Sequence, residues 1–290
     1  MRNKIILIVV LLIAALIYQV AQTPRVSSQK IQIAASFYPL YFFASEIGKG
    51  KAEVFNITPS GIEPHDYDPS PQDIVRILES KLLIVNGLGF EPWVDKLKKE
   101  LESIPIIDTS AGINQQSKDS HIWLSPVLAK SQVDKILQGY IQMDSSSRSY
   151  YEANAEELKR KLTELDNKFK QGFSSCKQNS FITSHAAFGY LAREYNLTQV
   201  PISGLSPQEE PSPAQMAKVT KFARENNIEY IFFENLVSPK LAETIAKEIG
   251  VQTLVLDPIE GISDHKNGKK NYFTIMEENL QNLKIALKCQ

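Results

Sequence analysis

From Ile31 onward, short runs of β-branched and apolar residues alternate with longer stretches whose apolar positions recur at helical spacing. The short runs predict strands at Ile31–Ser36, Glu53–Ile57, Leu82–Asn86, Phe181–Thr183, Tyr230–Phe233 and Thr253–Leu256. Helices are predicted after the pairs Ser70-Pro71, Ser212-Pro213 and Ser238-Pro239, where a serine hydroxyl caps the first turn and proline suits the first helical position. Gly250 closes the helix that begins at Pro239, as a left-handed cap does. Strands that alternate with helices in this way predict an α/β fold with mostly parallel sheets.

Residues 147–175 break the alternation. They contain no proline, end near Gly172, and place Tyr151, Ala155, Leu158, Leu162, Leu165 and Phe169 on one helical face, which predicts one long amphipathic helix. The expected organisation is an N-terminal α/β lobe over 29–146, a linking helix over 147–175 and a C-terminal α/β lobe over 176–290. A helical link resists bending more than paired loops do, so small lobe motions are expected.

The first 28 residues stand apart. Arg2 and Lys4 precede the apolar run Ile5–Ile17, and the chain turns polar from Gln22, the pattern of a signal peptide or an N-terminal membrane anchor. Export to the periplasm or the outer face of the cell membrane is expected. No cysteine follows the run, which argues against a lipid-anchored form, and Val20-Ala21 is the small-residue cleavage site on offer.

Composition narrows the function classes. With 43% hydrophobic and 22% charged residues, the chain is neither disordered nor collagen-like. Three of the 32 basic residues and none of the 33 acidic ones lie in 1–28, which leaves the remainder at −4 and without the basic footprint of a nucleic-acid partner. Cys176 and Cys289, the two cysteines, bracket the second lobe. In an exported protein they are expected to form one bridge.

Three of the four histidines sit at junctions between elements: His65 in Gly61–Pro71, His121 in Asp119–Pro126 and His185 in Thr183–Tyr190. Residues at the carboxyl ends of strands line the crevice of an open α/β sheet, so the three imidazoles could converge there, and converging imidazoles suit zinc. Spacings of 56 and 64 residues match no compact metal motif, so each alone also reads as a capping or hydrogen-bonded histidine. His265, in a polar stretch, reads as a solvated loop residue. Glu63, Asp66 and Asp68 flank His65 as acceptors or solvated acids, and Glu209 and Glu210 read as helix-start charges. Trp123 and Phe188 read as part of a dry apolar surround.

The phrases EPHDYDPSPQD, DSHIWLSP, TSHAAFGYLA, GLSPQEEPSPAQ, IFFENLVSPKLAETIAKEIG and LVLDPIEG, in this order, resemble the zinc-binding solute-binding proteins of metal-uptake ABC transporters, in which a long helix joins two α/β lobes. The resemblance covers residues 31–290 and implies that His65 and His121 from the first lobe and His185 from the second ligate Zn²⁺, with a carboxylate or water completing the shell. Manganese-type members carry Glu where this chain has His185, and nitrogen-rich sites favour zinc. Two acids compete for the fourth position: Glu260, on resemblance to NPLEG-type zinc members, and Asp257, which aligns with the acid used by manganese-type members. Two features depart from the family. Many zinc-type members insert a long His-rich loop before the second histidine, whereas Gly112–Ser120 is short and has none. Ser125-Pro126 also replaces the usual Asp-Pro.

The resemblance implies an extracytoplasmic zinc receptor, monomeric and without catalytic activity, that serves a membrane permease with a separate ATPase subunit. The chain itself carries no GxxxxGK[ST] phosphate loop. The competing readings are a manganese receptor, a zinc hydrolase with a water in the fourth position, and a surface adhesin. No HExxH motif supports the hydrolase.

Overall fold

The computed structural model describes residues 30–113, 118–236, 238–261 and 270–290. The N-terminal basic and apolar segment and His265 lie outside the described residues. Among the described residues no helix is long and apolar enough to cross a membrane.

Each half of the chain builds one four-stranded parallel sheet. In the first, β1 (Ile31–Ala35) lies between β2 (Ala52–Asn56) and β3 (Leu82–Val85), and β4 (Ile106–Asp108) pairs with β3, giving the order β2-β1-β3-β4. In the second, β5 (Ser180–Thr183) lies between β6 (Thr198–Pro201) and β7 (Tyr230–Phe233), with β8 (Gln252–Val255) outside β7, so the order β6-β5-β7-β8 repeats the first. Both orders reverse direction beside their first strand, the switch point where such sheets open a crevice. β3 is buried along its whole length, as expected of the apolar run Leu82–Val85 covered on both faces.

Two strands carry no clear signal in the sequence, β4 and β6. Both are edge strands, paired on one side only and partly exposed, so neither needs a continuous apolar run. Pro201 is tolerated at the end of β6 for the same reason.

The helices are α1 (Tyr38–Gly48), α2 (Pro71–Glu79), α3 (Pro92–Lys96), α4 (Pro126–Met143), α5 (Arg148–Gly172), α6 (Gly189–Glu194), α7 (Pro213–Glu225), α8 (Lys240–Ile249) and α9 (Tyr272–Ala286). Ser70 and Asp73 form a reciprocal capping box at α2, and Ser212 accepts the Gln215 N–H at α7. The third Ser-Pro start is displaced by one residue: α8 begins at Lys240, with Pro239 ahead of it, and ends at Gly250 with φ of 77°. Ser125 caps α4 by accepting the Leu128 N–H at 3.3 Å, so serine in place of aspartate keeps the helix start.

The long helix α5 packs against both halves. Its N-terminal part sets Tyr151 against Tyr140 and donates from Asn154 Nδ2 to the Ile47 carbonyl, while Phe169 nearer the other end stacks on Tyr195. The main hydrophobic core runs from Ile33 and Phe43 through Leu158 and Leu165 to Phe232, Tyr272 and Leu283, beside a smaller buried cluster within each lobe. The lobes therefore share buried surface, and separating them would expose it to water. The Cys176–Cys289 disulfide forms and ties the C-terminus to the segment ahead of β5.

Candidate metal centre

His65 lies in the proline-rich loop between β2 and α2, and His121 follows β4 at the entrance to a 3-10 turn, Ile122–Leu124. His185 lies just past β5, and Glu260 past β8. Parallel strands present all their carboxyl ends on one side, which brings these four residues from four connections together.

Their ligand atoms all lie within 4.8 Å of one another. The His65 and His121 Nε2 atoms are 3.2 Å apart, and those of His121 and His185 are 3.3 Å apart. Oε1 of Glu260 stands 3.3 Å from Nε2 of His65, 3.1 Å from that of His121 and 3.4 Å from that of His185. A tetrahedron with zinc bonds of about 2.0–2.1 Å has edges of about 3.3 Å, close to these separations.

The neighbours of the rings decide which nitrogens face inward. Nδ1 of His121 lies 2.8 Å from Asp119 Oδ1, and Nδ1 of His185 lies 2.6 Å from Glu234 Oε1. An ionised carboxylate only accepts, so both Nδ1 atoms carry hydrogen and the neutral rings turn Nε2 lone pairs toward one another. The same carboxylate oxygens accept the backbone N–H of these histidines, at 3.0 Å for His121 and 3.2 Å for His185, which fixes main chain and ring together. Converging lone pairs from nitrogen and carboxylate oxygen repel unless a cation or protons lie between them.

The titration of the cluster expresses that need. Burial would lower His185, but the charges of Glu234 and Glu260 override it and push it up to about 10. His121 is raised in the same sense: burial opposes, while Asp119 and Glu260 prevail. Glu260 is itself held well below the usual carboxylate range, because His185 and its hydrogen-bonded histidines outweigh the effect of burial. Glu63 is pushed up to about 9 by burial and by the charge of Glu260, while its Oε1 accepts the His65 N–H at 3.2 Å.

An aromatic wall closes the first-lobe side. Phe90 lies 4.6 Å from the His65 ring and 5.1 Å from Trp123, which is 5.2 Å from His121. His121, His185, Trp123 and Phe188 are fully buried. The His65 side chain retains 11% exposure and faces a cleft of about 590 Å³ lined also by Leu88, Gly89, Ser120, Leu205 and Ser206. Solvent thus reaches the centre past His65.

Asp257 stands outside the cluster. Its Oδ1 accepts the Ile259 N–H at 2.8 Å and its Oδ2 accepts from Asn235 Nδ2 at 2.6 Å, so it shapes the turn that carries Glu260. Asp66, Asp68, Glu209 and Glu210 are exposed, and Asp68 pairs with Lys96 on the surface. Glu234 and Asp119 are participants that sequence reasoning misses: the available signals were an acid just past the end of a predicted strand, the position shared by the histidines, and an acid two residues ahead of His121.

The sequence matches, over residues 33–286, the family described as zinc-uptake complex component A, periplasmic. The chain belongs to this family. It is 38% identical over 280 residues to the high-affinity zinc uptake system protein ZnuA of Bacillus subtilis (strain 168), covering 89% of this chain and 88% of that protein. It is 36% identical over 295 residues to the zinc-binding lipoprotein AdcA of Streptococcus pneumoniae (strain ATCC BAA-255 / R6), covering 94% of this chain and spanning 59% of the longer relative. Among solved structures, the Zn(II)-bound ZnuA-like domain of Streptococcus pneumoniae AdcA superposes with a TM-score of 0.79 at 37% identity, covering 89% of this chain and 99% of that domain. Family membership and the two equivalent four-stranded sheets agree with the architecture of two α/β lobes and a long linking helix.

Proposed function

We propose that this chain is an extracytoplasmic zinc receptor that captures Zn²⁺ with His65, His121, His185 and Glu260 and delivers it to a membrane permease driven by a separate ATPase subunit. The observation that carries the reading is the set of tetrahedral-edge separations among three imidazole nitrogens and one carboxylate oxygen in a buried position. Three imidazoles and one carboxylate suit zinc better than manganese, which prefers oxygen. The four side chains supply a complete tetrahedral set, whereas a hydrolytic zinc keeps one position for water, so the arrangement favours capture and release over catalysis. Residues 1–28 direct export, which places capture outside the cytoplasm.

Capture is a proton exchange. Zn²⁺ enters past His65, displaces the protons held by His121 and His185, and is charge-compensated by Glu260. Asp119 and Glu234 keep the two buried rings in the tautomer that coordinates, which raises their basicity toward the metal. Titrating metal-free protein with zinc and with manganese tests the reading. One zinc per chain, bound far more tightly than manganese and lost when the histidines are replaced, is expected; equal or weaker zinc binding would overturn it.

A further inference from the structure

Glu260 reaches the three histidines from a turn that the backbone alone does not favour. Ile259, just ahead of it, has φ of 59°. That left-handed conformation is rare for a β-branched residue and persists only where its surroundings impose it. Two side chains do so. Within the second lobe, Asp257 Oδ1 accepts the Ile259 N–H at 2.8 Å. From the first lobe, the indole Nε1 of Trp123 donates to the Pro258 carbonyl at 2.7 Å, a buried hydrogen bond across 135 residues of chain.

Trp123 is well placed to act as a fixed post. It is fully buried, follows His121 closely in the 3-10 turn, and is packed edge-on by Phe37 and Phe90. Its own backbone carbonyl accepts from Tyr272 Oη at 2.6 Å, which anchors it to α9 of the second lobe. An indole has one N–H donor and no acceptor, so the bond to Pro258 has a single direction.

We propose that Trp123 is a positioning residue for the metal centre: by holding the Pro258 carbonyl, its indole N–H keeps the Pro258–Glu260 turn in the conformation that delivers Glu260 Oε1 to the histidines. The inference rests on the zinc-receptor reading above. It assigns Trp123 an effect on zinc that passes through Glu260, beyond its contribution to packing.

A double-mutant cycle in the full chain separates the two roles. Trp123→Phe keeps an aromatic ring and removes the donor; zinc binding is expected to weaken about tenfold, the scale found for partners that orient metal ligands. In a Glu260→Ala background the same replacement should change zinc affinity less than about twofold, since there is no longer a carboxylate to deliver. Tyr272→Phe, which keeps its ring and frees the Trp123 carbonyl, should give a smaller loss with the same dependence on Glu260, and it decides the question alone if Trp123→Phe does not fold. An equal penalty in both backgrounds, or no penalty in the wild-type background, overturns the proposal. Wild-type protein that takes up no zinc would overturn the receptor reading itself, an outcome distinct from tight wild-type binding with Trp123→Phe unaffected.

Discussion

One carboxylate oxygen of Glu234 lies 2.6 Å from Nδ1 of His185 and 3.2 Å from its backbone nitrogen, so an acid at the end of β7 fixes both the ring and the main chain of a histidine at the end of the neighbouring strand β5. Replacing Glu234 by Gln presents an amide that can donate as well as accept and removes the charge behind the ring. Zinc affinity, measured by competition with a chelator, is expected to fall roughly 10- to 100-fold while the fold persists. Unchanged affinity in folded protein would mean that the contact is incidental.

The two acids of the last loop should separate by what they lose. Glu260→Ala leaves three imidazoles and admits water, so zinc binding should weaken without disappearing. Asp257→Ala removes the acceptor of the Ile259 N–H and loosens the turn that carries Glu260, so it should lower the melting temperature of the metal-free protein and weaken zinc binding less than Glu260→Ala does. Calorimetric and thermal titrations of both variants check this; a larger loss of zinc affinity in folded Asp257→Ala reverses the roles.

Proton competition should extend well above the ordinary histidine range. An unperturbed imidazole stops competing above its value of 6.5, but His185, flanked by Glu234 and Glu260, is pushed up to about 10. Zinc binding at neutral pH is therefore expected to release protons, and affinity should keep rising with pH between those values. The stability of the metal-free protein follows the opposite course: with the folded value above the unfolded one, the His185 contribution is fully present below about 6.5 and is lost as pH rises through about 10. Calorimetry in buffers of different ionisation enthalpy measures the released protons. A binding heat independent of the buffer would contradict the exchange.

The Cys176–Cys289 bridge closes a loop with a sequence separation of 113. Loop-closure entropy for this length corresponds to about 4.7 kcal/mol, and removal of a native bridge costs about 2–5 kcal/mol in practice. A double serine variant should melt at a lower temperature yet still bind zinc, because Cys176 precedes β5 whereas His185 follows it. Denatured, unreduced wild-type protein should show no reactive thiol, and two reactive thiols would reject the bridge.

Lobe motion on metal binding should be small. The lobes share one hydrophobic core, and the Trp123–Pro258 bond joins them beside the site. Small-angle scattering curves of metal-free and zinc-loaded protein should nearly superimpose; a large compaction would show that the shared core opens.

Much of this architecture is legible in the residues themselves. Leu82–Val85 reads as a buried strand because every position is apolar, and Tyr151 to Phe169 reads as a long helix because its apolar residues recur at the helical period. Such signals are local, set by backbone periodicity and by the capping chemistry of pairs such as Ser70-Pro71. The setting of His65, His121 and His185 at element junctions is local in the same sense.

What lies outside local reach was decided by tertiary structure. The edge strands β4 and β6 owe their form to a partner on one side, which their own residues do not announce. Glu234 becomes relevant only when β7 pairs with β5. Asp257 and Glu260 are both acids of one short loop, and no periodicity distinguishes them. The left-handed Ile259 and a hydrogen bond to Trp123, distant in the chain, determine which one points into the cluster. The proton competition likewise moves from the ordinary imidazole range because Glu234 and Glu260 stand within ion-pair distance of a buried ring, an electrostatic effect that exists only once the chain has folded.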